Sequence, residues 1–490
     1  MSWSSAFRRP KARRLTARQD RLNPGLQPSV CMMTPFLQQN KVLCSTTRRG
    51  LFQFGALGAL NLAWPKLLPA SDTQSLPALK GFGNAKSCVV IFLFGGPGQQ
   101  DLWDLKPEAP AEVRGEFKPI ATNVSGIAIG EHLPLLSQQA DKFAIVRSVT
   151  HTDFEHGSAS YTALTGQPHP LPGTNTPARQ EDFPTYGAII SKLQPTPQSV
   201  PNAVILGPVM HQGARPPMAG QNAGFLGDGY EPLRIPDDPN SKEFSVSGLA
   251  FPDGMTPVRM NHRYELLGSL EQHYQRLDRW RDVEGMTQLK QRAHGLLASS
   301  RSRDAFELSH ETLSLRDRYG RHRFGQTMLL TRRLVEAEVP LVTINWSKLN
   351  ADQWDTHKKN YPKLKNELLP PFDQGVAALL ADLDDRGLLD TTLVIALGEF
   401  GRTPKLNKDA GRDHWPDCYS VLLAGGGTPR GFIYGSSDRH AAYPADAPVA
   451  PWDLAATMYH LMGVAPHVDV HDRLERPFRL SHGRVVRGLL

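Results

Sequence analysis

Short apolar runs alternate with longer segments of helical periodicity along the chain. The runs are rich in β-branched residues and several end in glycine, a pattern typical of buried strands. Between them, segments such as 372–389 (FDQGVAALLADLDDRGLL) place apolar residues at helical spacing and end near a glycine. This alternation predicts an α/β fold, a mostly parallel central sheet covered on both faces. The predicted strands are 87–96, 142–149, 202–206, 340–346, 391–397 and 419–426.

Two regions depart from this alternation. Residues 258–338 are rich in Arg, Leu, Glu and Gln with helical periodicity, which predicts a helical insertion or a helical layer. Residues 165–256 are rich in Gly and Pro and predict long loops. Loops of this length in a compact domain are usually functional or disordered.

The N-terminal segment has the layout of an export signal. In TTRRGLFQFGALGALNLAWPKLLPA (46–70), the pair Arg48 and Arg49 precedes an uncharged stretch and small residues follow. The order resembles a twin-arginine signal over 32–70, which predicts a periplasmic or extracellular protein. Residues 1–31 are then a mis-called extension, with translation starting at Met32 or Met33. The alternative is an amphipathic first helix with a chance arginine pair. The uncharged stretch 50–64 is shorter than the roughly 20 residues of a membrane span, so no transmembrane segment is expected in the mature chain.

The basic character of the chain is confined to this N-terminus. Residues 1–70 hold 11 Lys and Arg but a single acid, Asp20, while the whole chain has a net charge of +7. The remainder therefore carries a net charge of −3. This balance argues against a nucleic-acid partner.

Acidic and imidazole side chains follow the predicted strands, where ligands bind in open parallel sheets. Carboxylate oxygen and imidazole nitrogen in this number fit a divalent metal ion, such as zinc or manganese, better than a serine triad. Alternatives are that single histidines only form hydrogen bonds and that Glu399 pairs with Arg402. In strand order, the candidates are Asp101 and Asp104; His151, Asp153, Glu155, His156 and Ser158; Asp352, Asp355 and His357; Glu399 and Arg402; then Arg412, Asp413 and His414.

Six motifs in this order resemble the bacterial domain-of-unknown-function family numbered 1501, which is abundant in planctomycetes. They are FGGPGQQDLWDLKPEAP, HGSASYTALTG, GFLGDGYEPLRI, WDTHKKN, GEFGRTP and GRDHWP. The resemblance covers about residues 85–485. This family is grouped with the alkaline-phosphatase and sulfatase superfamily, which implies a three-layer α/β/α sandwich. By analogy, it also implies metal-dependent hydrolysis of phosphate or sulfate esters.

The resemblance also implies roles for individual residues. Metal ligands would be Asp101 or Asp104, then Asp355, His357, Glu399 and His414. The nucleophile position falls on His156, where the superfamily has Cys, Ser or Thr, and Ser158 is nearby. Arg402 and Arg412 would bind the anionic oxygens of the substrate, since a guanidinium binds them bidentately, and Arg402 would also assist catalysis.

Three mechanisms stay open at this point: attack by a metal-bound hydroxide, a His156 or Ser158 nucleophile, or binding without turnover. The sequence thus predicts an exported sulfatase-like protein that uses zinc, manganese or calcium. Its substrate would be an anionic ester of a small molecule or polysaccharide. The alternative is a non-catalytic binding or scaffold member of the same superfamily.

Overall fold

Eight strands form one sheet whose central members are buried along their whole length. The computed structural model describes residues 79–196, 199–246, 254–275, 293–297, 299–346 and 354–490. These fall within one compact unit, Pro77–Leu490. The predicted extension, the predicted export signal and Asp352 lie outside the described residues. The strands are β1 (Ser87–Leu93), β2 (Phe143–Val149), β3 (Ala203–Leu206), β4 (Leu233–Ile235), β5 (Leu341–Trp346), β6 (Thr392–Leu397), β7 (Tyr419–Ala424) and β8 (Phe432–Tyr434).

The strand order is β8-β2-β7-β6-β1-β5-β3-β4. All neighbours pair in parallel except β7, which is antiparallel to both β2 and β6. All six predicted strands are present. The sequence missed the short edge strands β4 and β8, whose three residues each are too few to form a clear apolar run.

Helices cover both faces of the sheet. Alternate side chains of β1 point to opposite faces, so that Val89 and Ile91 belong to one core cluster while Val90 and Phe92 belong to another. The first cluster includes side chains of α6 and α7, and the second those of α1, α2 and α8. The predicted α/β fold with three layers is therefore confirmed. The helices are α1 (His156–Thr165), α2 (Tyr186–Leu193), α3 (Pro257–Gln275), α4 (Ser300–Phe306), α5 (Leu313–Tyr319), α6 (Arg323–Glu336), α7 (Leu369–Asp385) and α8 (Pro451–Leu461).

Shorter elements lie in the connections. Short helices are Gln99–Leu102, Ala111–Arg114, Pro134–Ser137 and Asn360–Lys363. Two-stranded ribbons pair Pro119–Ala121 with Ala128–Gly130, Gly401–Arg402 with His414–Trp415, Ser436–Ser437 with Pro444–Asp446, and Asp469–His471 with Pro477–Arg479. In the described part of the chain, no helix is both long and apolar enough to cross a membrane.

Candidate metal centre

The carboxyl ends of β1, β2, β5 and β6 deliver polar side chains to one edge of the sheet. His156 opens α1 after β2, Asp355 and His357 follow β5, and Glu399 follows β6. His414 precedes β7 instead. Because β7 runs antiparallel, its amino end lies at the same edge, which brings His414 to the others.

Asp355 is the centre of this group. Its Oδ1 lies 3.0 Å from His357 Nε2 and 3.4 Å from His414 Nε2, and its Oδ2 lies 3.5 Å from His156 Nε2. The Arg402 guanidinium is 2.5 Å from Oδ1. Burial alone would raise the pKa of Asp355, but the three histidines and Arg402 outweigh it and hold the pKa well below its usual range.

His156 is fully buried between two carboxylates. Its Nδ1 donates to Glu399 Oε1 over 2.5 Å, while its Nε2 faces Asp355. Burial disfavours the imidazolium form, yet the contacts with Asp355 and Glu399 outweigh burial and raise the pKa of His156 to about 9. The approach of Nε2 to Asp355 Oδ2 lacks hydrogen-bond geometry, so the buried His156 Nε2 has no hydrogen bond. The buried Asp355 Oδ1 has none either.

The rings of His357 and His414 face each other. Their Nε2 atoms are 3.0 Å apart. His414 Nδ1 donates to the carbonyl of Phe154 over 2.7 Å, and His357 Nδ1 donates to Asp413 over 2.7 Å. Contact with Asp355 raises the pKa of His357, whereas burial lowers the pKa of His414. Because each Nδ1 donates to an oxygen, the Nε2 of each ring in its neutral form carries a lone pair, next to Asp355.

Arg402 and Arg412, the predicted substrate-binding residues, are fully buried and bonded to protein atoms. Arg402 donates to the carbonyls of Gly95, Gly96 and Arg412 as well as contacting Asp355. Arg412 forms a two-point contact with Asp101, at 2.9 and 3.0 Å. It also donates to the Tyr361 hydroxyl and to the carbonyls of Val113, Thr403 and Pro404. Neither guanidinium faces solvent.

Three further predicted residues bond elsewhere. Asp101 binds Arg412 and Asn360. Asp104 contacts Lys106, Arg147 and Ser437. The Ser158 hydroxyl accepts from the backbone N–H groups of Gly173 and Thr174, at 3.1 and 3.2 Å. None of these contacts involves Asp355 or the three histidines around it.

Sequence reasoning did not foresee two partners of the histidines. Asp413 was among the candidates, but its pairing with His357 was not predicted. The carbonyl of Phe154 gives no signal in the sequence, because a backbone acceptor can belong to any residue. His156, predicted at the nucleophile position, lies among carboxylate and imidazole groups, which are metal-ligand types.

The cluster has the donor atoms that a metal ion needs. One ligand atom from each of His156, Asp355 and His414 lies within 4.8 Å of the others. A shared ion could reach all three after small side-chain adjustments, since zinc bonds to nitrogen or oxygen are about 2.0–2.2 Å long. His357 Nε2, beside His414 Nε2, offers a fourth donor.

The family model described as "Protein of unknown function (DUF1501)" matches residues 85–490. No curated protein matches the chain. Similar solved structures include a protein in the alkaline phosphatase superfamily from Vibrio parahaemolyticus, at 10% identity over 85% of this chain and 74% of that chain, with a TM-score of 0.37. The PsFucS1 sulfatase from Pseudoalteromonas sp. is 14% identical over 77% and 68%, with a TM-score of 0.36. The phosphonate monoester hydrolase SpPMH from Silicibacter pomeroyi is 14% identical over 83% and 76%, with a TM-score of 0.34.

Proposed function

The chain belongs to the DUF1501 family of proteins of unknown function, and from this premise we propose that it is a metal-dependent hydrolase of sulfate or phosphate esters. The observation that carries the proposal is the convergence of His156, His357 and His414 on the carboxylate of Asp355. This cluster lies at the sheet edge where ligands bind in open parallel sheets. The resemblance of the sequence motifs to the alkaline-phosphatase and sulfatase superfamily implies the same class of reaction.

Unsatisfied atoms in the cluster support a bound cation. Buried polar atoms are normally hydrogen-bonded, yet His156 Nε2 and Asp355 Oδ1 are not. The lone pairs of His357 and His414 repel each other at 3.0 Å unless a proton or a cation lies beside them. One divalent ion held by Asp355, His156 and His414, with His357 as a fourth ligand, would satisfy all of these atoms.

The donor set favours zinc over manganese and calcium. Calcium takes six to eight oxygen ligands, and manganese also prefers carboxylates and water. Three imidazoles and one carboxylate suit zinc, which is most often four-coordinate with nitrogen, sulfur and oxygen ligands. The narrower expectation is therefore one zinc ion per chain.

In this proposal, the protein's part is to hold the ligands in place. When bound, the ion would polarise an ester oxygen and lower the pKa of a water molecule. Arg402 fixes the Asp355 carboxylate from the buried side. Asp413 and the Phe154 carbonyl orient the rings of His357 and His414 through their Nδ1 atoms. Such outer partners commonly set the tautomer of a ligating histidine.

Among the three mechanisms, direct attack by water fits the contacts best. Both ring nitrogens of His156 face carboxylates, so a role as nucleophile would cost a buried contact. The Ser158 hydroxyl is occupied by two backbone N–H groups. With Arg402 and Arg412 engaged inside the protein, the metal ion would supply most of the positive charge for an anionic ester of a small molecule or polysaccharide.

The second candidate is a binding or scaffold protein on the same fold. It is favoured by one observation, namely that neither Ser158 nor His156 is free to act as a nucleophile. In that case the cluster would bind a metal ion, or a metal ion with an anion, without turnover.

Metal content measured by mass spectrometry in the purified protein tests the proposal. We expect about one zinc per chain in the wild type and none in the double variant Asp355→Ala, His414→Ala. A matched control, Asp409→Ala with His482→Ala, removes an exposed carboxylate and an exposed imidazole elsewhere and should keep the ion. Absence of any metal after incubation with zinc, manganese and calcium would overturn the metal centre. A stoichiometric ion without hydrolysis of any sulfate or phosphate ester would favour the binding protein.

Export by the twin-arginine route remains part of the proposal. Its basis is the sequence 46–70 alone. Replacement of both Arg48 and Arg49 with Lys is expected to leave the protein in the cytoplasmic fraction of its host. Unchanged export of that variant would contradict the assignment.

A further inference from the structure

The sequence predicted that Glu399 binds the metal directly, but its contacts favour a different role. It is fully buried, and its Oε1 accepts both from His156 Nδ1 at 2.5 Å and from Gly95 N–H at 2.8 Å. Its Oε2 lies 3.2 Å from the same N–H. Both oxygens are thus engaged on the side of His156 that faces away from Asp355.

Gly95 makes this arrangement rigid. Its φ is +110°, which side-chain-bearing residues rarely adopt, and a Cβ here would overlap the backbone of Trp354 and Asp355. The N–H of Gly95 is therefore fixed between the Glu399 carboxylate and the loop that carries Asp355. For Glu399 to turn toward an ion beside Asp355, it would have to leave this N–H and the His156 ring.

From these contacts we infer that Glu399 is a positioning residue that acts only through His156, holding the proton on Nδ1 and keeping Nε2 as a ligand atom. This inference rests on the proposed metal centre and assigns a different role within it. A carboxylate behind a ligating histidine fixes the ring and raises its basicity. The His156–Glu399 contact then belongs to the metal site although Glu399 never touches the ion.

The test is a double-mutant cycle on metal affinity in the full-length protein. Zinc dissociation constants are measured by competition with a chromophoric chelator for wild type, Glu399→Gln, His156→Gln and the double variant. We expect Glu399→Gln to weaken zinc binding by about 10–100-fold in the wild-type background. In the His156→Gln background it should change affinity by less than about twofold, because a residue that acts through another shows full coupling.

Matched variants separate this effect from general damage. Glu155→Gln removes the same charge at the start of α1, but Glu155 bonds Asn175 and no ligand histidine, so zinc affinity should be unchanged. Glu399→Asp keeps the charge on a shorter side chain. It replaces Glu399→Gln in the cycle if Glu399→Gln does not fold. Urea unfolding in EDTA verifies that each variant is folded.

The outcomes are distinct. An equal loss of affinity with and without His156 would make Glu399 a direct ligand and overturn the inference, while the metal centre would stand. No loss on Glu399→Gln would overturn it as well. A wild-type protein that binds neither zinc nor cobalt would overturn the proposed function and this inference together.

Discussion

Two carboxylates, the buried Asp101 and the partly buried Asp355, lie at the same edge of the sheet, yet their surroundings differ. Asp101 accepts from Arg412 through both oxygens and from Asn360, so its charge is matched and its bonds are complete. Asp355 also meets an arginine, but three imidazole rings crowd it and its Oδ1 has no hydrogen bond of good geometry. The complete set of bonds indicates a structural link between Asp101 and Arg412, whereas the incomplete set around Asp355 supports its proposed role as a metal ligand.

Loss of Arg412 gives the strongest test of this contrast. Arg412→Met would leave the Asp101 charge buried without its partner, and breaking such a pair costs about 3–5 kcal/mol of unfolding free energy. Urea unfolding in EDTA measures it. Arg114→Met, which removes an exposed arginine, is the control and should change stability by less than about 0.5 kcal/mol. A loss below 1 kcal/mol for Arg412→Met would mean that the pair is not structural.

His414→Gln tests the other side of the contrast. The half-buried ring would lose its Nδ1 bond to the Phe154 carbonyl, its Nε2 contact with His357 and its packing against Phe400, so stability in EDTA should fall by about 1–2 kcal/mol. Zinc at 100 times its dissociation constant should stabilise the wild type by about 2.7 kcal/mol, and most of this gain should vanish in the variant. Thermal unfolding with and without zinc measures both. An equal zinc-dependent gain in the two proteins would remove His414 from the site.

Asp373 is a third carboxylate for comparison, buried like Asp101 but with backbone partners and no cation among its contacts in the described structure. Burial raises its pKa to about 6, although it accepts from the N–H groups of Leu135 and Leu136. Because the folded pKa lies above the unfolded value, its contribution is complete below pH ~4 and is lost as the pH rises through about 6.

The pH profile of stability therefore separates Asp373 from the other two carboxylates. Wild type should lose roughly 2 kcal/mol relative to Asp373→Asn between pH 4 and pH 7. Urea unfolding at each pH measures this difference, with Asp385→Asn on the exposed side of α7 as the control. Parallel pH profiles for wild type and Asp373→Asn would contradict the assignment.

The sequence was informative about the fold for a simple physical reason. Buried parallel strands need continuous apolar runs, and every long strand of the sheet carries one. The antiparallel direction of β7 could not be predicted from its sequence, because the same apolar run fits a parallel or an antiparallel strand. That direction is nevertheless what brings His414 to the site.

For the candidate site, the sequence indicated which types of residue take part, but it did not indicate which of them contact each other. Asp355, His357 and His414 were grouped correctly as neighbours, since strand ends of one sheet meet at one edge. Asp101 and Arg412 also lie in polar loops. They are 311 residues apart, and the sequence does not show that they bond to each other. The same limit concealed the contact between His156 and Glu399.

The wide sequence separation of these contacts also bears on how the protein folds. β1 pairs only with β5 and β6, and Gly95 meets Glu399 across 304 positions. Such non-local pairing makes folding slow, because loop closure precedes any stabilising contact. During synthesis, β1 would leave the ribosome with both edges open until β5 emerges, and one edge would stay open until β6 emerges. An apolar strand is exposed to aggregation during this long interval. The proposed ion would therefore bind at the centre around Asp355 only as one of the last events of folding.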